Sequence, residues 1–427
     1  MAMAKIRNNF AGPSDNVVSE IVNFFLERYP RSDIRNVADL DSCLNGVAGK
    51  VSSLEYNTSG GGFVSDGVWN RLTRSDYVYR DSDNLLQPKS KLLESLSNFA
   101  KNGLSRFDVA NCLKDERVSL EKARIAKTKL FSIVPFPQLV YLRRYTVPLL
   151  LYFREIRLES GVASGINPHS SDFHVLYEHL NSIPHATFVD GDYAGYEYAV
   201  THSVTQGTYK WLSSLFPPAF RDEFLDVSRK LTANRNFLGR YSYVRTTGNC
   251  SGQPLTLLFN CCANKILMYS NIYSICLDRG LPYPNAKGKE ILSFIFDNMR
   301  DVYFGDDHIL SFSHKLSITG HDLANQFSKW NISYTTPQKD TNFIVKTNIQ
   351  NTIFLKRRFW LNSENMMVAL LEPHVIFETL LWHRTQSVPM QVCIDAVVRS
   401  MRDEVALYGL PAIKHFEKFL DYIYTYH

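Results

Sequence analysis

The 427-residue sequence is short of the features that mark several large protein classes. Its seven cysteines are scattered, odd in number and without a Cys-x-x-Cys spacing, which argues against a disulfide framework or a zinc site and for a reducing compartment. No apolar run approaches the roughly 20 residues that span a bilayer. The opening Met-Ala-Met-Ala-Lys-Ile-Arg lacks the apolar core of a signal peptide, so a soluble chain without a transmembrane segment is expected. Internal repeats are absent, and Gly60-Gly61-Gly62 is the one low-complexity stretch. Charge of either sign is in small excess: 47 Lys and Arg against 42 Asp and Glu leave +5, which permits a polyanionic partner without demanding one. With 45% hydrophobic and 21% charged residues the composition is globular, and the length suits two or three packed subdomains.

What the chain does have is centred on residues 300–312, Arg-Asp-Val-Tyr-Phe-Gly-Asp-Asp-His-Ile-Leu-Ser-Phe. β-Branched and aromatic residues flank a Gly-Asp-Asp corner, which predicts two short strands joined by a tight turn with glycine at the unusual backbone angles. Two adjacent carboxylates at a hairpin tip repel each other unless a cation neutralises them, and hard divalent metals take carboxylate oxygens. A polar surface turn is the alternative reading. Asp192 follows a buried-strand pattern, Ala186 to Val189, and precedes a helical pattern running toward Phe216. A carboxylate where the chain leaves a sheet is placed for ligand binding, which makes Asp192 a candidate partner of Asp306; a helix cap is the competing role.

Other segments supply bases and hydroxyls. Residues 14–29 form a predicted amphipathic helix capped by Ser14 or Asp15 and ended before Pro30. Asn57 to Phe63 is predicted as a glycine-rich loop, able to approach a phosphate or to serve as a flexible linker, with no lysine at Walker spacing. Residues 114–129 carry Lys114, Arg117, Lys122, Arg124, Lys127 and Lys129, interrupted by Asp115, Glu116 and Glu121, which fits either a phosphate site or a solvated helix face. A loop at residues 248–255 leads into a long apolar helix ending near Gly280, with Thr256 and Asn260 four apart on one face. Thr352 to Trp360 is a strand-like run with three consecutive bases, and residues 372–427 are predicted helices broken near Pro389 and Gly409-Leu410-Pro411.

The order and spacing of these segments resemble the RNA-dependent RNA polymerases of picornavirus-like positive-strand RNA viruses. Asp192-Tyr-Ala-Gly-Tyr-Glu197 is similar to motif A, Ser251-Gly-x-x-x-Thr256-x-x-x-Asn260 to motif B, and Phe304-Gly-Asp-Asp307 to motif C. Thr335-Thr-Pro-Gln-Lys339 is similar to motif D, Phe354-Leu-Lys-Arg357 to the motif E primer grip, the Lys114 to Lys129 run to motif F, and Thr58-Ser59-Gly60 more loosely to motif G.

The resemblance implies an α+β right hand of fingers, palm and thumb, with an antiparallel palm sheet backed by helices and a helical thumb. It implies fingers over residues 1–176, palm over 177–215, a fingers insertion over 216–250, palm again over 251–359, and thumb over 360–427. Asp192, Asp306 and, at the edge, Asp307 are then expected to hold a pair of Mg²⁺ ions, with Mn²⁺ as a substitute. Lys114, Lys122, Lys127 and Lys129 are expected to neutralise the incoming NTP, and Lys339 to act as general acid toward the leaving pyrophosphate. Glu197, Ser251, Thr256 and Asn260 would test for the ribose 2′-hydroxyl. Lys356 and Arg357 would hold the primer backbone, and Thr58, Ser59 and Gly60 the template. The implied partners are template, primer and product RNA, NTPs, a protein primer and other viral replication proteins. The implied setting is the host cytoplasm in membrane-bound replication complexes, with carriage in virions in some lineages.

Three departures stand out. Glu197 occupies a position where picornaviral enzymes have Asp, and Lys129 one where Arg is usual, which loses the bidentate fork. The Met-Ala-Met-Ala start differs from the small-residue terminus of a picornaviral polymerase. Two other functions remain at this stage: a reverse transcriptase, which shares the palm and metals, and a catalytically silent RNA-binding scaffold.

Overall fold

The computed structural model describes residues 11–29, 32–65, 68–104, 108–114, 118, 120–125, 128–238, 241–245, 248–381 and 389–426. In chain order the strands are β1 (Ser59–Ser65), β2 (Val68–Thr73), β3 (Val78–Arg80), β4 (Leu86–Pro88), β5 (Asp108–Leu113), β6 (Leu130–Ile133), β7 (Thr187–Tyr193), β8 (Arg235–Leu238) and β9 (Tyr241–Val244). They continue with β10 (Met299–Phe304), β11 (Asp307–Phe312), β12 (Tyr334–Thr335), β13 (Ile353–Phe354), β14 (Arg357–Leu361) and β15 (Met367–Leu371).

The centre of the molecule is the antiparallel sheet β10-β11-β7-β12. Successive side chains of a strand point to opposite faces, and each face here meets its own core. Val189, Tyr303 and Leu310 join the main core around the helix Thr256–Arg279. Phe188, Val302 and Ile309 join a second core with Phe173, Leu176, Phe354 and Phe359. The sheet is therefore a two-sided slab whose strands cannot slip by one residue without exchanging these two sets.

The helix Thr256–Arg279 is buried on nearly all sides, which explains why its sequence is apolar without a strong stripe. It packs against β10 and against the helices Asp15–Arg28, His202–Ser214, Lys289–Asn298 and Gly320–Lys329. The predicted N-terminal helix forms as Asp15–Arg28, capped by the Ser14 hydroxyl accepting from Val17 N. Its Phe25 ring lies 4.8 Å from Trp211 and 4.9 Å from Tyr269, measured between centroids. A buried phenylalanine of this kind contributes roughly 1.5–3 kcal/mol, so the segment braces the long helix.

A second four-stranded sheet, β6-β5-β8-β9, brings together segments far apart in sequence, since β5 and β8 pair in parallel with Asp108 opposite Arg235. The strands β13-β14-β15 form a third sheet, and beyond it the helices Met390–Ala406 and Leu410–Tyr426 enclose a separate small core of Ile376, Val398, Met401, Val405, Phe416 and Leu420. Pro389 and Gly409 mark the starts of these helices, as the sequence predicts.

Two expectations are corrected. The glycine-rich segment after Asn57 is not a loop: Ser59–Ser65 is a strand paired to β2. A Cβ on Gly60 would sit 2.6 Å from the Thr73 carbonyl oxygen, so these glycines serve close packing of the chain on itself. The run Thr352 to Trp360 is not one strand. It is a hairpin, turned by Leu355 (φ +56°) and Lys356 (φ +60°).

Candidate active site

β10 and β11 pair from Met299–Phe312 to Phe304–Asp307, leaving Gly305 and Asp306 as the two-residue turn. Gly305 has φ +68°, the left-handed conformation that glycine adopts without strain. The neighbouring strand β7 pairs with β11 from Thr187–Phe312 to Gly191–His308. The next step of that register sets Asp192 across from Asp307, so three carboxylates gather at one end of the sheet. Asp192 is a strand residue paired with Thr335 of β12, not a helix cap.

The turn is held in place from below. Asn264, fully buried on the long helix, donates to Gly305 O at 3.1 Å and Asp306 O at 3.0 Å, and accepts from the Tyr193 hydroxyl at 3.0 Å. One turn earlier, Cys261 Sγ accepts from Gly305 N at 3.1 Å. His308 approaches from the strand itself, with Nδ1 3.2 Å from Asp306 O and Nε2 2.6 Å from the Tyr334 hydroxyl. A carbonyl only accepts, so Nδ1 carries the proton and Nε2 accepts from Tyr334. Burial pushes this imidazole down to about 4, which keeps it neutral and fixes those roles.

Asn264 is the residue holding this turn that sequence reading missed. A signal was present, because Thr256, Asn260 and Asn264 continue one helical face at i, i+4 and i+8, and an amide amid apolar neighbours needs partners. Gly191 was missed as well: a Cβ there would lie 2.0 Å from the Tyr334 hydroxyl oxygen, so only glycine lets Tyr334 reach His308.

Charge converges on the same end of the sheet. Burial, and after it the Asp306 charge, pushes the Asp307 carboxyl up to about 6, while Lys356 and Lys129 pull it back. Bases of two remote segments, one before β6 and one at the β13–β14 turn, thus act on Asp307. Lys114 and Lys129 are stapled together, with Lys114 N donating to Lys129 O at 2.8 Å. Lys339, at φ +70° in a turn closed by Lys339 N to Thr336 O at 2.9 Å, places its ammonium against Asp192.

The donor set fits a hard divalent cation in kind: it is all carboxylate oxygen, and the burial and neighbouring Asp306 charge that raise Asp307 both disfavour a bare carboxylate that a cation would stabilise. Among the described residues no three His, Cys, Asp or Glu side chains are gathered closely enough to enclose an ion, and Lys339 supplies the local positive charge at Asp192.

The motif B residues hold the loop and the first turns of the long helix. Ser251 Oγ accepts from Ser132 N on β6 at 3.1 Å, which ties the Ser-Gly loop to the basic segment. The Thr256 hydroxyl lies 2.9 Å from Cys250 O and 2.8 Å from Gln253 O, so it staples the loop at the start of the long helix. Asn260 O accepts from the Tyr196 hydroxyl at 2.8 Å. Lys127, and the side chains of Lys122 and Glu197, lie outside the described residues.

The outlying residues divide. Thr58 and Ser59 are exposed, whereas Gly60 is buried in the β1–β2 hairpin. Lys356 is exposed at its hairpin tip, but Arg357 turns inward. Its guanidinium grips Glu404 of the helix Met390–Ala406 at 2.7 and 2.6 Å and donates to Ala369 O at 2.8 Å. Of the two bases expected at the primer, Lys356 is the exposed one, and the Arg357 fork joins the hairpin to the terminal helices.

An antiparallel sheet with a Gly-Asp-Asp turn beside a third aspartate, a long helix clamping that turn, and bases arriving from separate segments make up the palm of a right-hand polymerase fold. Over 96% of its length the chain superposes on 81% of the Sicinivirus 3Dpol RNA-dependent RNA polymerase, with a TM-score of 0.77 and 18% identity. The profile of the viral RNA-dependent RNA polymerases matches residues 44–423, and the chain belongs to that family.

Among its relatives, the replicase polyprotein of Cricket paralysis virus is 26% identical over 334 residues, 73% of this chain and 18% of the polyprotein. The genome polyprotein of human hepatitis A virus (isolate HAS-15) is 24% identical over 362 residues, 82% of this chain and 16% of the polyprotein. The chain thus spans less than a fifth of the length of these relatives. Among the described residues, no helix is long and apolar enough to cross a membrane.

Proposed function

We propose that this chain is an RNA-directed RNA polymerase that copies a positive-strand RNA virus genome, adding NTPs to an RNA 3′-hydroxyl with release of pyrophosphate. The observation that carries this reading is the register of β7 against the β10–β11 hairpin, which brings Asp192 to the end of the sheet that bears Asp306 and Asp307, where Lys129 and Lys356 act on Asp307. Asp192 and Asp306 would hold divalent metal, Mg²⁺ or Mn²⁺, with Asp307 at the edge. When bound, such ions supply phosphate charge neutralisation and a more nucleophilic 3′-hydroxyl.

The chain's own groups do the rest. Lys114 and Lys129, stapled together, present positive charge to the triphosphate, with Lys122 and Lys127 on the same segment. The Lys339 ammonium, held at the Asp192 end of β7 by its turn, is the proton donor for the departing pyrophosphate. Ser251 spends an acceptor site on Ser132 N and keeps its own proton for a ribose hydroxyl, while Thr256 fixes the loop that carries it. Asn260 and Glu197 complete the sugar test, which a deoxyribose would leave unpaired. Exposed Lys356 contacts the primer backbone, and exposed Thr58 and Ser59 the template. The division into fingers, palm and thumb follows the boundaries given above; the assignment of residues 216–250 to the fingers is supported by the β5–β8 pairing, which returns residues 235–244 to the first part of the chain. Action in host-cytoplasmic replication complexes, with a protein primer and other replication proteins as partners, completes the proposal.

Primer extension on an RNA template in Mg²⁺ tests it, with Asp306→Ala beside the unmutated chain. Extension that depends on Asp306 and prefers ribonucleotides is expected. Equal activity of Asp306→Ala refutes the metal role, a preference for deoxyribonucleotides points to reverse transcription, and inactivity of both points to a scaffold.

A further inference from the structure

Asp190 precedes Asp192 by two residues on β7 and is 2% exposed, yet nothing in the chemistry above uses it. A buried carboxylate persists only where its oxygens are satisfied, and here each has a different partner. Oδ1 pairs with the Lys346 ammonium, and Oδ2 accepts from Ile353 N at 2.7 Å. Lys346 O in turn accepts from Phe188 N at 2.8 Å, so both ends of the segment 346–353 are fastened to β7, with a single 3-10 turn, Ile349–Asn351, between them. Ile353 opens the hairpin whose tip is Lys356.

That tip is strained. Leu355 and Lys356 both occupy the left-handed region, where an L-residue other than glycine pays for crowding of its Cβ. Such a turn holds its shape only when the surroundings over-determine it. Two anchors do so: Asp190 fixes the first residue of the β13 arm through its backbone N–H, and Arg357 fixes the β14 arm to Glu404. Asp190 lies on the strand that carries Asp192, so the first anchor ties the height of Lys356 to the catalytic strand itself.

We infer that Asp190 is a positioning residue for the RNA primer: through Lys346 and Ile353 N it sets the Lys356 hairpin against β7, so that a primer strand is held in register with Asp192 and Asp306. This rests on the polymerase reading, and the test separates the two. The full chain is titrated with a fluorescent primed RNA duplex and with the same template strand unprimed, in the absence of NTPs and metal, and the ratio of affinities is the readout. A hydrogen bond to a charged group is being lost, so Asp190→Asn is expected to reduce the preference for primed RNA about tenfold, leaving unprimed binding unchanged. Lys346→Met is expected to do the same, the double variant no more than either alone, and Lys346→Arg to restore most of the preference. Where Asp190→Asn fails to fold, as judged by thermal melting, Lys346→Met reads the same ratio. A ratio unchanged in a folded variant, an equal loss on both RNAs, or no primed preference in the unmutated chain overturns the inference. Failure of the polymerase reading instead appears as no nucleotide addition by an unmutated chain whose primed preference is intact.

Discussion

Asn264→Ala is the perturbation that most directly tests how the Gly-Asp-Asp turn is held. The side chain makes three hydrogen bonds, to Gly305 O, to Asp306 O and from the Tyr193 hydroxyl. Asp306 O keeps His308 Nδ1 after the substitution, so two buried groups, Gly305 O and the Tyr193 hydroxyl, lose a partner. Each unmet buried group costs about 1–3 kcal/mol, giving a destabilisation of roughly 2–6 kcal/mol for the two, read by urea unfolding. The functional effect should be larger than this suggests, because a shift of about 1 Å in a reacting group costs on the order of a hundredfold in rate. Single-nucleotide addition to a primed template at saturating NTP should therefore fall about 30- to 100-fold in kcat, with the NTP KM little changed. Asn264→Asp is a sharper control: it keeps the acceptor for Tyr193 but turns an acceptor-only group toward two carbonyls, so its activity should fall below that of the alanine variant. Asn264→Ala activity within threefold of the unmutated chain, under conditions where Asp306→Ala is inactive, would refute the clamp.

Three further outcomes follow from packing and charge. Gly191→Ala places a methyl 2.0 Å from the Tyr334 hydroxyl oxygen and 2.1 Å from the ring carbon bearing it, so a loss of at least about 2 kcal/mol is expected on thermal melting, and Tyr334→Phe should not relieve it. Lys265→Met removes the fully buried partner of Asp301 and should cost about 3–5 kcal/mol in urea unfolding, most of it recovered by Lys265→Met with Asp301→Leu; no recovery would show that the pair itself is needed for packing. Arg357→Met should lower stability through the lost Glu404 fork while leaving the salt dependence of RNA binding unchanged, whereas Lys356→Met should flatten that dependence by about one counterion. A flattened salt dependence in Arg357→Met with unchanged melting would reverse this assignment.

Much of the palm was legible because its signals are local. A Gly-Asp-Asp corner between β-branched runs specifies a hairpin whatever surrounds it, and β10 and β11 form where the pattern puts them. Local apolar patterning and the Pro389 and Gly409 breaks also located the Asp192 strand, the long helix from Thr256 and the two terminal helices. Errors arose where one residue type serves two physical ends. Gly60 looked like backbone bared for a ligand, and the strand pairing shows it bared for Thr73. Arg357 looked like a twin of Lys356, but Lys356 sits in the turn while Arg357 opens β14 on its inward face, which meets Glu404, 47 residues away.

By itself the sequence determined which groups are proposed to carry the chemistry: the aspartates, the bases and the hydroxyl-bearing helix face, since their kind and local spacing are written along the chain. Only the tertiary structure decided how they are aimed. The clamp from Asn264, the neutral His308 between Asp306 and Tyr334, the glycine that Tyr334 demands at 191, and the fastening of Lys346 and Ile353 to Asp190 all join residues distant in sequence. Such contacts exist only after burial has removed water as the competing partner, and a linear pattern does not encode which buried donor meets which acceptor.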